Sequence, residues 1–213
     1  GCENHGDVCA ESSDMTVSGS TAGGIVAKAA YKDISTCVSG CFNTGNISAG
    51  LYVGGIVGDL QSKGTIENSY NLGTISGNTD ATGGNPPFLG GITGGMSKAT
   101  LKYNYNVGKI QAHANAQTSR CGEINGSGAF SAKETGEYNY FIGTEVVAGT
   151  AYGYATKTAK KKIGENAYVP STTEQLQSED VVRQLNTYTN PISCYKTTWE
   201  KDNDKTNQGY PKI

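Results

Sequence analysis

Apolar residues along this chain fall in short runs of β-branched and aromatic side chains, bounded by glycine, asparagine or serine. That pattern predicts brief strands separated by turns, not helices. The runs also recur in one register. Cys41-Phe42-Asn43-Thr44-Gly45-Asn46-Ile47 aligns with Ser69-Tyr70-Asn71-Leu72-Gly73-Thr74-Ile75 and with Asn104-Tyr105-Asn106-Val107-Gly108-Lys109-Ile110. Cys2-Glu3-Asn4-His5-Gly6-Asp7-Val8 is an eroded earlier copy, and Asn139-Tyr140-Phe141-Ile142-Gly143 a worn later one. A second block alternates with the first: Gly23-Gly24-Ile25-Val26-Ala27, Gly54-Gly55-Ile56-Val57-Gly58 and Gly90-Gly91-Ile92-Thr93-Gly94, with a degenerate version at Cys121-Gly122-Glu123-Ile124. Val38, Ile66 and Leu101 supply a third apolar anchor.

A unit with so few apolar residues cannot bury them alone, whereas stacked units can. The expected fold class is therefore all-β: a β-solenoid of the parallel β-helix type, about five repeats long. Ile25, Ile56 and Ile92 form one expected interior column, and Ile47, Ile75 and Ile110 another. Asn43, Asn71 and Asn106 are placed to form a hydrogen-bonded ladder, and the repeat glycines to turn the chain at positive φ. Longer spacings are taken up by loops at 77–87 and 111–120. A β-sandwich is the competing architecture, but sandwiches rarely keep so regular a period.

Two domains are expected, a repeat region over 1–144 and a C-terminal capping module over 145–213. Past Gly143 the repeat fades into a stretch with a lysine run, Lys160 to Lys162. Pro170-Ser171-Thr172-Thr173-Glu174 then opens a short helix, with Ser171 and Glu174 spaced as a capping box. Leu176, Val181, Val182 and Leu185 give it an apolar face, and Trp199 and Gly209-Tyr210-Pro211 close the chain. Such a module would cover a strand edge at the end of the solenoid.

Composition narrows the class. Thirty glycines, 36% hydrophobic residues and a mean hydropathy of -0.44 do not suit a membrane span, which needs roughly 20 apolar residues in a row. A net charge of -2 lacks the basic excess of a nucleic-acid footprint. The chain opens on Gly1 and has no leader-like start, as expected for a piece of a longer secreted protein. Six cysteines, Cys2, Cys9, Cys37, Cys41, Cys121 and Cys194, form an even set. In an extracellular chain that favours disulfides over metal ligation. Their connectivity stays open, with Cys121 the nearest candidate by chain order for Cys194.

The alternating Gly-Gly-Ile-Val-Gly and Cys/Ser-Tyr/Phe-Asn-x-Gly-x-Ile blocks resemble the GLUG repeats of bacterial surface proteins, over roughly Cys2 to Gly143. Such repeats also accompany M26-type metalloproteases that cleave immunoglobulin A. The resemblance implies an extracellular protein, secreted or on the bacterial surface, with a β-helical repeat region. The ending resembles the segments that follow such repeats.

The protease machinery itself is missing from the sequence: there is no H-E-x-x-H, and His5 and His113 are the two histidines. Among the acids Asp33, Asp59, Glu67, Asp80, Glu123 and Glu134, no pair recurs in register as a glycosidase-like site would need. Asp202-Asn203-Asp204 departs from the EF-hand pattern and is expected to be a solvated turn. No catalytic residue, metal or cofactor is therefore assigned, and the chain is expected not to be an enzyme.

Binding is the better prospect. Thirteen tyrosines stand against four phenylalanines. Phe42, Tyr70, Tyr105 and Tyr140 share one column, and Tyr103 and Tyr138 another. Either these rings stack structurally, or Tyr70, Tyr103, Tyr105, Tyr138 and Tyr140 form an outward strip that takes a ligand. The expected function is an adhesin or binding module, monomeric as a fragment, that contacts a host extracellular protein, with immunoglobulin as one candidate, or a glycan, with no nucleic acid and no membrane insertion. A ligand-free stalk and a carbohydrate-active β-helix are the alternatives.

Overall fold

The computed structural model describes residues 1–11, 19–29, 34–77, 87–111, 120–126, 135–142, 146–147, 168–188 and 197–213. The expected loops at 77–87 and 111–120 lie largely outside that set. So do Lys160 to Lys162, Asp33, Asp80, His113, Glu134 and Cys194.

The chain is a β-solenoid whose strands stack in five parallel sheets. Following one coil from its start, sheet 1 holds Glu3–Asn4, Phe42–Asn43, Tyr70–Asn71, Tyr105–Asn106, Asn139–Ile142 and Tyr168–Ser171. Sheet 2 holds Val8–Ala10, Ile47–Ala49, Ile75–Gly77, Ile110–Gln111 and Val146–Val147. Sheet 3 holds Thr21–Gly23, Tyr52–Gly54, Phe88–Gly90 and Cys121–Gly122, and sheet 4 holds Val26–Ala29, Val57–Gln61 and Thr93–Ser97. Sheet 5, with Thr36–Ser39, Gly64–Glu67, Thr100–Lys102 and Thr135–Glu137, completes the coil.

The pairing reproduces the repeat register. Asn4, Asn43, Asn71 and Asn106 stand one above another, as do Val8, Ile47, Ile75 and Ile110, and Val38, Ile66 and Leu101. Ile47, Ile75 and Ile110 fill one side of the interior with Val53 and Leu89. Ile56, Ile66, Ile92, Leu101 and Ile124 fill the other, and Ile25 packs against them. The degenerate fourth corner is genuine, since the Ile92 amide donates to Ile124 O at 3.0 Å.

Asparagine joins coil to coil. Nδ2 of Asn4 donates to Asn43 Oδ1 at 2.6 Å, Asn43 to Asn71 at 2.7 Å, and Asn71 to Asn106 at 2.8 Å. Each of these amides also donates to the carbonyl of the glycine two residues on. A second inward column runs one rung earlier. Ser69 N–H donates to Asn104 Oδ1 at 3.0 Å, and Asn104 Nδ2 to Asn139 Oδ1 at 2.8 Å.

The glycines serve a different purpose from the one expected. Among the described residues, Gly40 and Gly209 have positive φ, and the repeat glycines do not. What excludes a side chain from them is proximity. A Cβ on Gly73 would stand 1.9 Å from Gly45 O, and one on Gly108 2.0 Å from Gly73 O. The Gly-Gly corners make room for the ladder: a Cβ on Gly55 would meet Asn71 Cγ at 2.4 Å, and one on Gly91 would meet Asn106 Cγ at 2.2 Å. The two alternating sequence blocks are thus halves of one fit.

In the solenoid, positive φ falls instead on two other corners, from sheet 4 to sheet 5 at Ser62, Lys63 and Lys98, and from sheet 5 to sheet 1 at Gly40, Asn68, Tyr103 and Tyr138. For an aromatic residue this is an uncommon conformation, and it directs two tyrosines away from the strand alternation.

Two short helices, α1 (Thr173–Leu176) and α2 (Glu179–Leu185), replace the single helix expected. Ser171 is not the cap. It pairs with Ile142 at the end of the last strand of sheet 1, so its backbone is committed to the sheet. Thr172 caps instead, in a box with Gln175, and Ser178 caps α2.

Candidate functional site

The predicted aromatic columns exist. Phe42 and Tyr70 stack at 4.9 Å between ring centroids and 2° between planes, and Tyr70 and Tyr105 at 4.8 Å and 5°. Asn43, Asn71 and Asn106 occupy the coil interior, so strand alternation turns the adjacent rings outward. Yet Tyr70, Tyr103, Tyr105 and Tyr140 are buried, and Tyr138 is half-buried. The C-terminal segments 172–188 and 197–213, together called the C-terminal module below, cover them.

Trp199 lies 5.9 Å from Tyr70 and 5.6 Å from Tyr105 between centroids, and its indole N–H donates to Asn68 Oδ1 at 3.1 Å. Tyr188 stacks on Tyr103 at 4.8 Å and donates its hydroxyl proton to Glu67 Oε2 at 3.0 Å. The Tyr105 hydroxyl donates to Pro211 O at 2.5 Å and accepts from Asn207 Nδ2 at 2.9 Å. Leu176, Val181 and Leu185 complete the seam. Burial, first of all, holds the Tyr70, Tyr105 and Tyr140 hydroxyls well above the ordinary tyrosine value. Tyr168–Ser171 meanwhile pairs with Asn139–Ile142 at the end of sheet 1, so a strand edge and a lateral face are covered together.

Asp202 is no solvated turn. It is buried, and its Oδ2 accepts from the amides of Asn207 and Gly209 at 2.8 and 2.7 Å. The Lys212 ammonium sits 3.3 Å from Asp202 Oδ1, 2.7 Å from Asp204 Oδ1 and 3.1 Å from Thr206 Oγ1. Lys212, first, and then Asp202 and Thr206 hold the Asp204 carboxyl far below the usual carboxylate range. Among the described residues, no three His, Cys, Asp or Glu side chains converge as metal ligands, and no helix is long and apolar enough to cross a membrane.

A second aromatic column lies on sheet 3. Tyr52 and Phe88 pair in register and stack at 5.1 Å and 21°, and the Arg120 guanidinium lies 4.5 Å over the Phe88 ring. All three keep part of their surface exposed. Gly95 lies against Tyr52, since a Cβ there would come within 2.7 Å of the ring. Beside them Asp59 accepts from Gln61 Nε2 at 2.7 Å and pairs with Lys28 at 3.2 Å. Burial and then the Asp59 charge raise the Tyr52 hydroxyl. Guanidinium, rings, amide and carboxylate thus form one mixed strip. The aromatics stand two residues before the Gly-Gly blocks, and that shared offset is the signal sequence reasoning passed over.

The described cysteines are not joined by disulfides. Cys121 faces the isoleucine cluster, and burial pushes its thiol up to about 11.

No protein-family model matches the chain, and neither does any curated protein. The GLUG resemblance therefore rests on the repeat motifs themselves. Among solved structures, the whole chain is similar to part of a Bacteroides ovatus protein described as a "putative immunoglobulin A1 protease", with a TM-score of 0.60 and 20% identity. This chain spans 56% of that one, and at such identity the likeness is one of fold.

Proposed function

We propose that the chain is an extracellular binding module of a bacterial surface protein, and that it meets a host protein or glycan through the strip of Tyr52, Phe88 and Arg120. One observation carries this reading. Of the tyrosines weighed as a stack or as a binding strip, Tyr70, Tyr103, Tyr105 and Tyr140 are buried, whereas the Tyr52–Phe88 column keeps exposed surface beside Arg120 and Lys28. Aromatic rings with an arginine are the composition that anchors protein partners, and flat ring faces beside a guanidinium suit a sugar equally.

The name of the Bacteroides neighbour makes immunoglobulin A the first partner to try. A binding role rather than a catalytic one is favoured by how the acids are engaged. Asp59 is tied to Lys28 and Gln61, Glu67 accepts from Tyr188, and Glu123 accepts from Asn106. Each of these three described acids has its own partner, and none of them bonds another as a proton-sharing pair would.

Capture from host serum and mucus, together with a glycan array, tests the reading. Binding should appear with the native chain and weaken tenfold or more in a Tyr52→Ala/Phe88→Ala variant that keeps native stability. Undiminished binding by that variant would place the ligand face elsewhere. A clean negative for the native chain would leave the stalk as the better account.

A further inference from the structure

In successive coils, the inward rung before each aromatic position of sheet 1 is Cys2, Cys41, Ser69, Asn104 and Asn139. From Cys41 onward, hydrogen bonds to side chains tie this column together. The Cys41 amide donates to Ser69 Oγ at 3.2 Å, and Ser69 and Asn104 continue the chain to Asn139. Between the first and second coils the side chains facing each other are two sulfurs instead.

Their placement follows from register. Glu3 pairs with Phe42 and Asn4 with Asn43, and the Phe42 amide donates to Cys2 O at 3.0 Å. Cys2 and Cys41 are therefore direct neighbours on parallel strands, with side chains on the same face. Adjacent strands lie about 4.8 Å apart, inside the roughly 4.4–6.8 Å between Cα atoms that a disulfide accepts. Cys41 Sγ donates to Ser39 O at 3.3 Å, and the Cys2 backbone and thiol lie close enough to act on its ionisation. No such match exists for the other described cysteines: Cys9 faces Ser48, Cys37 faces Thr65 and Cys121 faces Leu89.

We propose that Cys2 and Cys41 are a disulfide pair that bonds the first coil covalently to the second. Cys2 is exposed and Cys41 buried, so chemistry enters at Cys2. Its thiolate attacks one sulfur of a disulfide oxidant such as oxidised glutathione. The first glutathione leaves as thiolate, and a mixed disulfide remains on Cys2. The Cys41 sulfur then attacks the Cys2 sulfur and expels the second glutathione. Two protein thiols become one S–S bond, their two protons go to solvent or the leaving thiolates, and the oxidant is reduced to two thiols. Exposure to such an oxidant in nature rests on the extracellular placement proposed above, but the pairing chemistry does not.

The test therefore uses the purified full chain in a defined glutathione redox buffer. Remaining thiols are alkylated, and digestion with tandem mass spectrometry separates Cys37 from Cys41. A Cys2–Cys41 cross-linked peptide is expected. Reduction should lower Tm by roughly 5 °C or more. Cys2→Ser, at an exposed site, should fold and lose both the peptide and the reduction-dependent shift. Alkylation of both thiols after oxidation, a bridge from Cys2 to any other cysteine, or an unchanged shift in Cys2→Ser would each overturn the pairing. None of those results bears on ligand binding by the sheet 3 strip, so this inference and the proposed function fail independently.

Discussion

Asn71 shows how much of the solenoid rests on single side chains. Its amide donates to Asn106 Oδ1 and Gly73 O, and its carbonyl accepts from Asn43 and from the Gly73 amide, all in the buried interior. Asn71→Ala would strand several of these groups away from water and should cost about 2–4 kcal/mol in urea unfolding. Asn46→Ala, at an exposed position with one bond to the Thr74 amide, should stay within about 0.5 kcal/mol. Equal losses at both sites would mean that the ladder is ornamental. Cys121 offers a second check. Its folded pKa lies above that of the unfolded thiol, so its contribution is whole below the ordinary thiol value and is lost as the pH rises toward 11. Iodoacetamide near neutral pH should therefore label Cys121 only after denaturant is added. The asparagine register was legible in the sequence because the ladder needs one residue type at one period. The glycines were legible in place but not in purpose. Their requirement comes from an oxygen in the neighbouring coil, which local turn chemistry does not reveal.

Among the elements, the C-terminal module is where sequence reading reached least. Its apolar helix face was visible at Leu176, Val181 and Leu185, yet its docking surface was not. The contacts join Glu67 to Tyr188, Asn68 to Trp199 and Tyr105 to Asn207, residues more than 100 positions apart with no period to announce them. Strand alternation left the tyrosines facing outward, and the module then buried them. Trp199→Ala should cost about 3–5 kcal/mol, seen as an earlier unfolding transition of the module. Alkali offers an independent measure. Tyr70, Tyr105, Tyr140 and Tyr188 all have hydroxyls raised by burial first. The stability they confer is complete below about pH 10 and falls as the pH climbs beyond it. Ultraviolet difference absorbance should show a late, cooperative set of tyrosines that ionise as the module lets go. Titration of all thirteen near the ordinary value in the native protein would contradict the seam.

Across the whole molecule, the parallel β-helical class follows from the period, because a five-sided coil can return to the same residue types only by stacking. The binding strip was less legible. Tyr52 and Phe88 recur just once, and one repetition gives too weak a period to separate a surface column from chance.

The flank docking of the C-terminal module also has a mechanical meaning. Ile213 packs in the apolar cluster that covers the tyrosine column, and Pro211 just before it accepts from the Tyr105 hydroxyl. Force applied at Ile213 enters from the side and meets Pro211, Asn207 and then Trp199 before it reaches the stacked strands, whereas the same force at Gly1 loads the Glu3–Asn4 strand directly. In a single-molecule stretching trace, the rupture that releases the module should soften in Trp199→Ala, while the ruptures of the coils keep their force. On its C-terminal side the chain is loaded through a replaceable latch.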